Sequence, residues 1–227
     1  MFEFRYLQPY DAEAAADIHI EGQPGTVLTL LGHRFLVELY RAVAGSEWGA
    51  GIGVFEDGTL VAQTAMAVSS KKFFTEFKRK YLWRIAIPVA WAIVCRPQII
   101  SHIIKGWSYA DQTSSPEREG DVIFLGVKKS HLRSGLGPEL VNYMFGWADS
   151  IGLVSANLMI EKRNRPIRWM IGRLNDLRIA HEFEAYGRQM LFYKVPIHAN
   201  LQEAKLPHGE PFCPAHNYHL SQSGKMV

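Results

Sequence analysis

A glycine-containing loop is the segment of this chain best suited to chemistry. Gly135 and Gly137 follow an apolar run that ends at Val127 and precede a helical apolar pattern from Leu140. Glycine lets the backbone approach a ligand closely, and the N–H groups that begin a helix attract anions. The neighbouring basic residues are Lys128, Lys129 and Arg133. The loop therefore suits a pyrophosphate, although taken alone a structural turn explains it equally well.

The elements that must position this loop alternate along the chain. Period-two alternation and short apolar runs predict strands at residues 2–7, 51–55, 59–68, 121–127, 154–160, 179–186 and 190–195. Apolar residues at helical spacing predict helices at 9–19, 28–45, 135–150 and 165–174. The order predicts an α/β domain with a mixed central sheet flanked by helices, and chain order alone permits several such folds.

An insertion at about residues 71–110 separates the third and fourth predicted strands. Residues 71–80 are basic and aromatic, and residues 85–95 are apolar but far shorter than a membrane span. Pro88 and Pro97 are expected to break the insertion into short helices. We expect it to pack on the core or to form a homodimer surface, in preference to a shallow membrane contact.

Composition narrows the class of protein. With 227 residues, 48% hydrophobic and 21% charged, the chain is typical of a globular protein. A formal charge of +3 is too small to indicate a nucleic-acid partner. Cys95 lies in an apolar run, so we expect a buried free thiol. The first residues show no secretory signal, which predicts a cytoplasmic protein.

The last part of the chain, residues 198–227, is predicted to be an extended tail. His208, Cys213, His216 and His219 have spacings that can hold zinc. No second cluster completes a structural site, so no metal is predicted. An arm lying on the domain or on a neighbouring subunit is the preferred interpretation.

Three motifs together resemble the GCN5-related N-acetyltransferase (GNAT) superfamily over about residues 1–197. The loop is similar to the family's Gln/Arg-x-x-Gly-x-Gly/Ala pattern between the fourth strand and third helix. Pro9-Tyr10-Asp11-Ala12 resembles the family's Pro-x-Asp-Ala opening of the first helix. Asn164-x-x-Ile167-x-x-x-Ile171-x-x-Leu174 lies where the family has Asn-x-x-Ala-x-x-x-Tyr-x-x-Leu. This combination is more specific than the loop alone.

The resemblance implies that acetyl-CoA, or another acyl-CoA, binds as co-substrate. Its pantetheine arm would insert where the fourth strand separates from the fifth, near residues 125–127, with a bulge permitted by Gly126. A backbone N–H of the same strand would stabilise the oxyanion. The implied cofactor-binding residues are Leu125, Val127, Leu132, Arg133, Ser134, Gly135, Leu136, Gly137, Pro138 and Asn164.

The catalytic residues are less well specified, because the chain departs from the family pattern. Leu132 replaces the usual Gln/Arg, and Ile171 replaces the tyrosine that often protonates the leaving thiolate. Asp121, and after it Glu119, are the candidate bases that deprotonate an amine. Tyr193 is a candidate replacement acid. The alternative is that the two carboxylates are exposed loop residues and that Tyr193 serves packing.

Two residues near the end of the first predicted helix, His19 and Glu21, lie where this fold places acceptor-binding groups. We interpret each singly as a surface residue. The predicted function is transfer of an acetyl or other short acyl group to a primary amine of a small molecule, such as an amino sugar or peptide. The alternatives are a non-catalytic acyl-CoA sensor and an acyltransferase whose donor is an acyl carrier protein docked on the basic loop.

Overall fold

Seven strands form one mixed sheet in the order β1-β2-β3-β4-β5-β7-β6. This computed structural model describes residues 1–97, 118–185, 187–201 and 203–211. β4 and β5 run parallel, and the other neighbouring strands run antiparallel. The strands are β1 (Phe2–Tyr6), β2 (Gly49–Glu56), β3 (Thr59–Ala67), β4 (Glu119–Val127), β5 (Ser155–Glu161), β6 (Arg178–Ala185) and β7 (Arg188–Pro196).

Helices cover both faces of the sheet, which confirms the predicted architecture. They are α1 (Ala12–Gly22), α2 (Val27–Leu30), α3 (His33–Gly45), α4 (Ser70–Cys95), α5 (Leu136–Ser150) and α6 (Arg165–Ile171). The helix expected at 28–45 is two helices, because Gly32 has a φ of 96° and cannot continue a right-handed turn. One core lies between the sheet and α5, and a second lies between the sheet and α1, α3 and α4.

The insertion between β3 and β4 begins as one long helix, and the expected break at Pro88 is wrong. α4 continues through Pro88 to Cys95. Phe73, Phe77 and Ile85 are buried in the second core. Their burial offsets the hydrogen bond that an interior proline removes. Cys95 is exposed, contrary to the expected buried thiol, because the second core holds the other side of the helix.

The remainder of the insertion, residues 98–117, lies outside the described residues. Within the part of the chain that the structure describes, no helix combines the length and apolarity needed to cross a bilayer.

The described part of the tail lies along the first strand. The His208 N–H donates to the Phe4 carbonyl at 2.7 Å, and His208 forms a parallel bridge with Arg5. Gln8 donates to the Glu210 carbonyl at 3.3 Å. The segment therefore covers the open edge of β1. Cys213, His216 and His219 lie outside the described residues, and among those described no group of three His, Cys, Asp or Glu side chains could hold a metal ion.

Gly146, inside α5, tests the docking of this tail. A Cβ at Gly146 would meet the backbone oxygen of Lys205 at less than contact distance. Gly146→Ala should therefore lower the free energy of unfolding by about 1–3 kcal/mol, although alanine favours a helix. Urea unfolding measures this. Gly45→Ala is the matched control, because its Cβ would lie 3.8 Å from the Tyr81 hydroxyl. A Gly146→Ala protein as stable as the Gly45→Ala protein would contradict the packing.

Candidate functional site

β4 and β5 pair over part of their length and then separate. Their register runs from Glu119–Ser155 to Val122–Leu158. Beyond this point β5 continues its pairing with β7, while β4 continues along β3. The described residues therefore leave an opening between two parallel strands at the centre of the sheet.

A bulge in β4 accompanies the separation, at a different residue from the one expected. Val122 pairs with Met66 and Phe124 pairs with Ala65, so Ile123 is the extra residue. The expected bulge at Gly126 is wrong, because Gly126 pairs in register with Gln63. Gly126 is instead required by packing, since a Cβ there would lie 2.5 Å from the Phe124 ring.

The backbone of β4 presents hydrogen-bonding groups to this opening. The Lys128 N–H donates to the Val61 carbonyl on β3 at 2.9 Å. Backbone groups on an extended strand alternate sides, so Gly126 also faces β3. Leu125 and Val127 then direct their N–H and C=O groups toward the side where β5 has separated. This is the position that a ligand amide would need to add to the sheet.

The loop after β4 has a fixed backbone conformation. Arg133 and Gly135 have φ values of 65° and 86°, in the left-handed region, and α5 begins at Leu136. The N–H groups of Leu136 and Gly137 lie in the first turn of α5 and lack an acceptor within the helix. Leu132, Arg133, Ser134, Gly135 and Pro138 are exposed. The loop thus offers backbone donors at a helix start with charge beside them.

Side chains from three elements hold the loop in this shape. The Ser134 hydroxyl donates to the His131 carbonyl at 2.6 Å. The His131 ring lies 2.9 Å from a Glu56 carboxylate oxygen at the end of β2. The Lys129 N–H donates to Glu21 at the end of α1. Glu21 therefore supports the loop, a role that the sequence pattern did not reveal because the two residues are far apart in the chain.

Three predicted cofactor residues have structural roles, Leu136 and Gly137 through packing and Asn164 through capping. The Leu136 side chain is 3% exposed and belongs to the core beneath α5, so it does not reach the surface of the loop. A Cβ at Gly137 would lie 3.1 Å from the Met170 sulfur, so glycine lets α5 and α6 approach. Asn164 accepts from the Ile167 N–H at 3.4 Å and so caps α6.

A polar cluster lies where the two strands begin to separate. Asn157 donates to Asp121 at 3.1 Å and to Glu119 at 3.2 Å. Lys194 lies 2.8 and 3.0 Å from the two Glu119 oxygens. Glu119 is therefore held in an ion pair with Lys194. Asp121 lies one residue before Val122, the last residue of β4 that pairs with β5. Asn157 and Lys194 were not predicted, and the signal that marks each is a polar residue inside an otherwise apolar strand.

The structure does not bring Tyr193 to these carboxylates. Tyr193 pairs with Leu158, while Asn157 pairs with both Asp121 and Lys194. Paired residues share a face and consecutive residues alternate, so Tyr193 lies on the opposite face of the sheet. It is 4% exposed and packs in the core beneath α5, as does Ile171.

A second polar group lies under the separated part of β4. His19 is fully buried and its ring stacks on Phe124 at 4.4 Å, so the surface interpretation of His19 is wrong. Its Nδ1 lies 2.8 Å from the Tyr40 hydroxyl. Gln63 donates to the Ala15 carbonyl at 2.6 Å, and its amide lies next to the Tyr40 hydroxyl.

Burial sets the charge of this group. It lowers the pKa of His19 to about 4, so the ring is neutral at neutral pH. Burial also raises the pKa of Tyr40. Among the described residues, His19 Nε2 and Gln63 Oε1 have no hydrogen-bond partner. Tyr40 and Gln63 were not predicted, because each lies in an apolar pattern that indicates packing.

Sequence comparison returns no family model and no curated protein for this chain. Among solved structures, ribosomal-protein-S18-alanine N-acetyltransferase from Escherichia coli matches with a TM-score of 0.56 at 12% identity, over 87% of this chain and 94% of that one. The acetyltransferase of the GNAT family from Streptococcus pneumoniae matches with a TM-score of 0.54 at 16% identity, over 86% and 99%. PaiA N-acetyltransferase from Thermoplasma acidophilum, solved with coenzyme A, matches with a TM-score of 0.51 at 10% identity, over 86% and 99%.

The buried His19 predicts how stability changes with pH. In the unfolded chain the His19 ring takes up a proton below its ordinary pKa of 6.5. In the folded chain the ring takes up that proton only below about pH 4. The free energy of unfolding should therefore fall between pH 6.5 and pH 4, by up to about 3 kcal/mol from this group. Denaturant unfolding across that range should show a shallower fall in His19→Asn. His33→Asn, which removes a half-exposed histidine, is the control. Equal slopes in both variants would contradict the assignment.

Proposed function

We propose, on the premise that this chain has the GNAT fold, that it is an N-acyltransferase that uses acetyl-CoA or another short acyl-CoA to acylate a primary amine. The observation that carries the proposal is the opening between β4 and β5, which runs directly into the glycine loop at the start of α5. A ligand with amides at one end and a pyrophosphate at the other fits both features.

The residues present fit acyl-CoA in two respects. The backbone of Leu125 and Val127 would hold the pantetheine amides. The N–H groups from Ser134 to Gly137, with Arg133 beside them, would hold the pyrophosphate. Asn164 supports this site by capping α6, whose Met170 sulfur would lie 3.1 Å from a Cβ at Gly137. The bound thioester supplies the acyl group.

Asp121 is the proposed base. It lies at the closed end of the opening, where the strands separate, so its carboxylate can take a proton from the incoming amine. A backbone N–H of β4 would stabilise the oxyanion as the C–N bond forms. The C–S bond then breaks and the sulfur leaves as a thiolate, which needs no strong acid because the ordinary pKa of a thiol is near 8.5, and the thiolate then takes a proton from water. Ile171 is buried and provides no such acid.

Glu119 and Tyr193 have supporting positions in this proposal. Glu119 is engaged by Lys194 and Asn157, so it orients the polar cluster at the β4–β5 junction. Tyr193 packs on the opposite face of the sheet. The acceptor would approach from the α1 side, which carries Asp121. An amino sugar or a peptide amine is the proposed acceptor class.

A non-catalytic acyl-CoA sensor is the second candidate. The buried Ile171 favours it, because it packs in the core where the similar family often has a catalytic tyrosine. The two candidates share the binding loop and differ in turnover. Tight binding of acetyl-CoA without release of free thiol, in the presence of a panel of primary amines, would select the sensor.

Gly135 tests the binding loop. Gly135→Val should weaken acetyl-CoA binding at least about tenfold, since a branched side chain strains the left-handed backbone and covers the phosphate site. Isothermal titration measures this. Gly152→Val is matched, because Gly152 also has a φ near 80° with no neighbour within 4 Å of a Cβ. It should lose similar stability and keep the affinity. Equal affinity in both variants would contradict the assignment.

A substitution of Asp121 tests its proposed role as the base. Asp121→Asn should lower kcat by about 10²–10⁴-fold with little change in acetyl-CoA affinity, because the amide cannot accept the proton. Thiol release with an active amine from the panel measures kcat. Glu119→Gln, in the same polar cluster, should lower kcat less, since Glu119 is already engaged by Lys194. A larger loss in Glu119→Gln would reverse the two roles.

A further inference from the structure

α4 carries an apolar stripe that no described residue covers. Trp83, Ile87, Trp91 and Val94 are 85, 73, 70 and 74% exposed. Their spacing of four, four and three residues places them on one side of the helix. Single exposed apolar residues are ordinary, but a continuous stripe with two tryptophans marks an interaction surface.

The stripe is not needed to hold α4 on the domain. The opposite side of the helix buries Phe77, Ile85 and Ala92, and Phe77 packs edge-to-face on Phe35 of α3 at 5.8 Å. The exposed residues of the stripe therefore lie outside the core.

The first half of α4 is strongly basic. Glu76 is its one acidic residue. The basic residues are Lys71, Lys72, Lys78, Arg79 and Lys80, and Arg84 follows just beyond them. Lys80 is paired with Glu76 and Arg84 with Glu38. The helix thus combines a cationic segment with an adjoining Trp-containing stripe.

We propose that α4 lies in the plane of an anionic lipid bilayer, with the stripe of Trp83, Ile87, Trp91 and Val94 in the headgroup region. Tryptophan suits this depth, because its ring is apolar and its N–H is polar. The basic residues complement the anionic headgroups. The helix is about 39 Å long, and because its other side is packed on the domain it would rest on the surface without crossing the bilayer.

Charge favours lipid over a second copy of the chain. In a two-fold dimer through the stripe, the cationic segment of one α4 would face the α4 of the second copy. That helix has a single acidic residue, Glu76, so it offers little complementary charge. An anionic bilayer accommodates the stripe and the charge at once. The proposal is independent of acyl transfer, since it rests on a surface outside the β4–β5 opening.

Vesicle sedimentation of the full chain tests the proposal. The protein should sediment with vesicles of phosphatidylcholine and phosphatidylserine at least about tenfold more strongly than with phosphatidylcholine alone, and salt should weaken this. The double variant Trp83→Glu/Trp91→Glu should lose at least about tenfold in vesicle affinity. Trp169→Glu is the matched control, because Trp169 is 66% exposed on α6 and should bind as the wild type does.

A second variant separates the contribution of charge. Lys71→Glu/Arg79→Glu leaves the stripe intact and should abolish the preference for phosphatidylserine. Circular dichroism confirms that each variant is folded. Absence of wild-type sedimentation with either vesicle would overturn the proposal. So would a concentration-dependent dimer that Trp83→Glu/Trp91→Glu dissociates, because the stripe would then bind a second copy.

Discussion

The separation of β4 from β5 after Val122 is the constraint on which the rest of the site depends. A parallel pair at the centre of a sheet normally satisfies its backbone groups along its whole length. Here the bulge at Ile123 redirects β4, and the backbone of Leu125 and Val127 faces the side that β5 has left. The same strand leads into the glycine loop, so one departure from regular pairing aligns the backbone edge of β4 that faces the opening with the start of α5.

The two faces of the sheet divide the remaining roles. Asp121, Glu119 and Asn157 share the face covered by α1, while Tyr193 and Ile171 are packed on the α5 face. The α5 face is therefore an apolar support for the loop, and the α1 face holds the polar groups. The neutral His19 beneath Phe124 belongs to this second face. Its burial without charge keeps the layer beneath β4 compact.

The continuity of α4 depends on its packing against the second core more than on the local helix preference of its residues. Its buried face, with Phe73, Phe77 and Ile85, continues the second core beyond the sheet. That burial stabilises a helix through Pro88, where a proline alone favours a break. The same geometry turns Trp83 and Trp91 outward. Because α4 is anchored by its buried side, its exposed side is available to contact a partner.

The sequence by itself determined the order of strands and helices, the insertion after β3 and the place of the glycine loop, because periodicity and glycine act over short distances. Tertiary structure decided the break at Gly32, the bulge at Ile123, the face of Tyr193 and the exposure of Cys95. It also assembled His19 with Tyr40 and Gln63, and Asp121 with Asn157. These features depend on register and on partners distant in the chain, since a one-residue shift in a strand moves a side chain to the other face of the sheet.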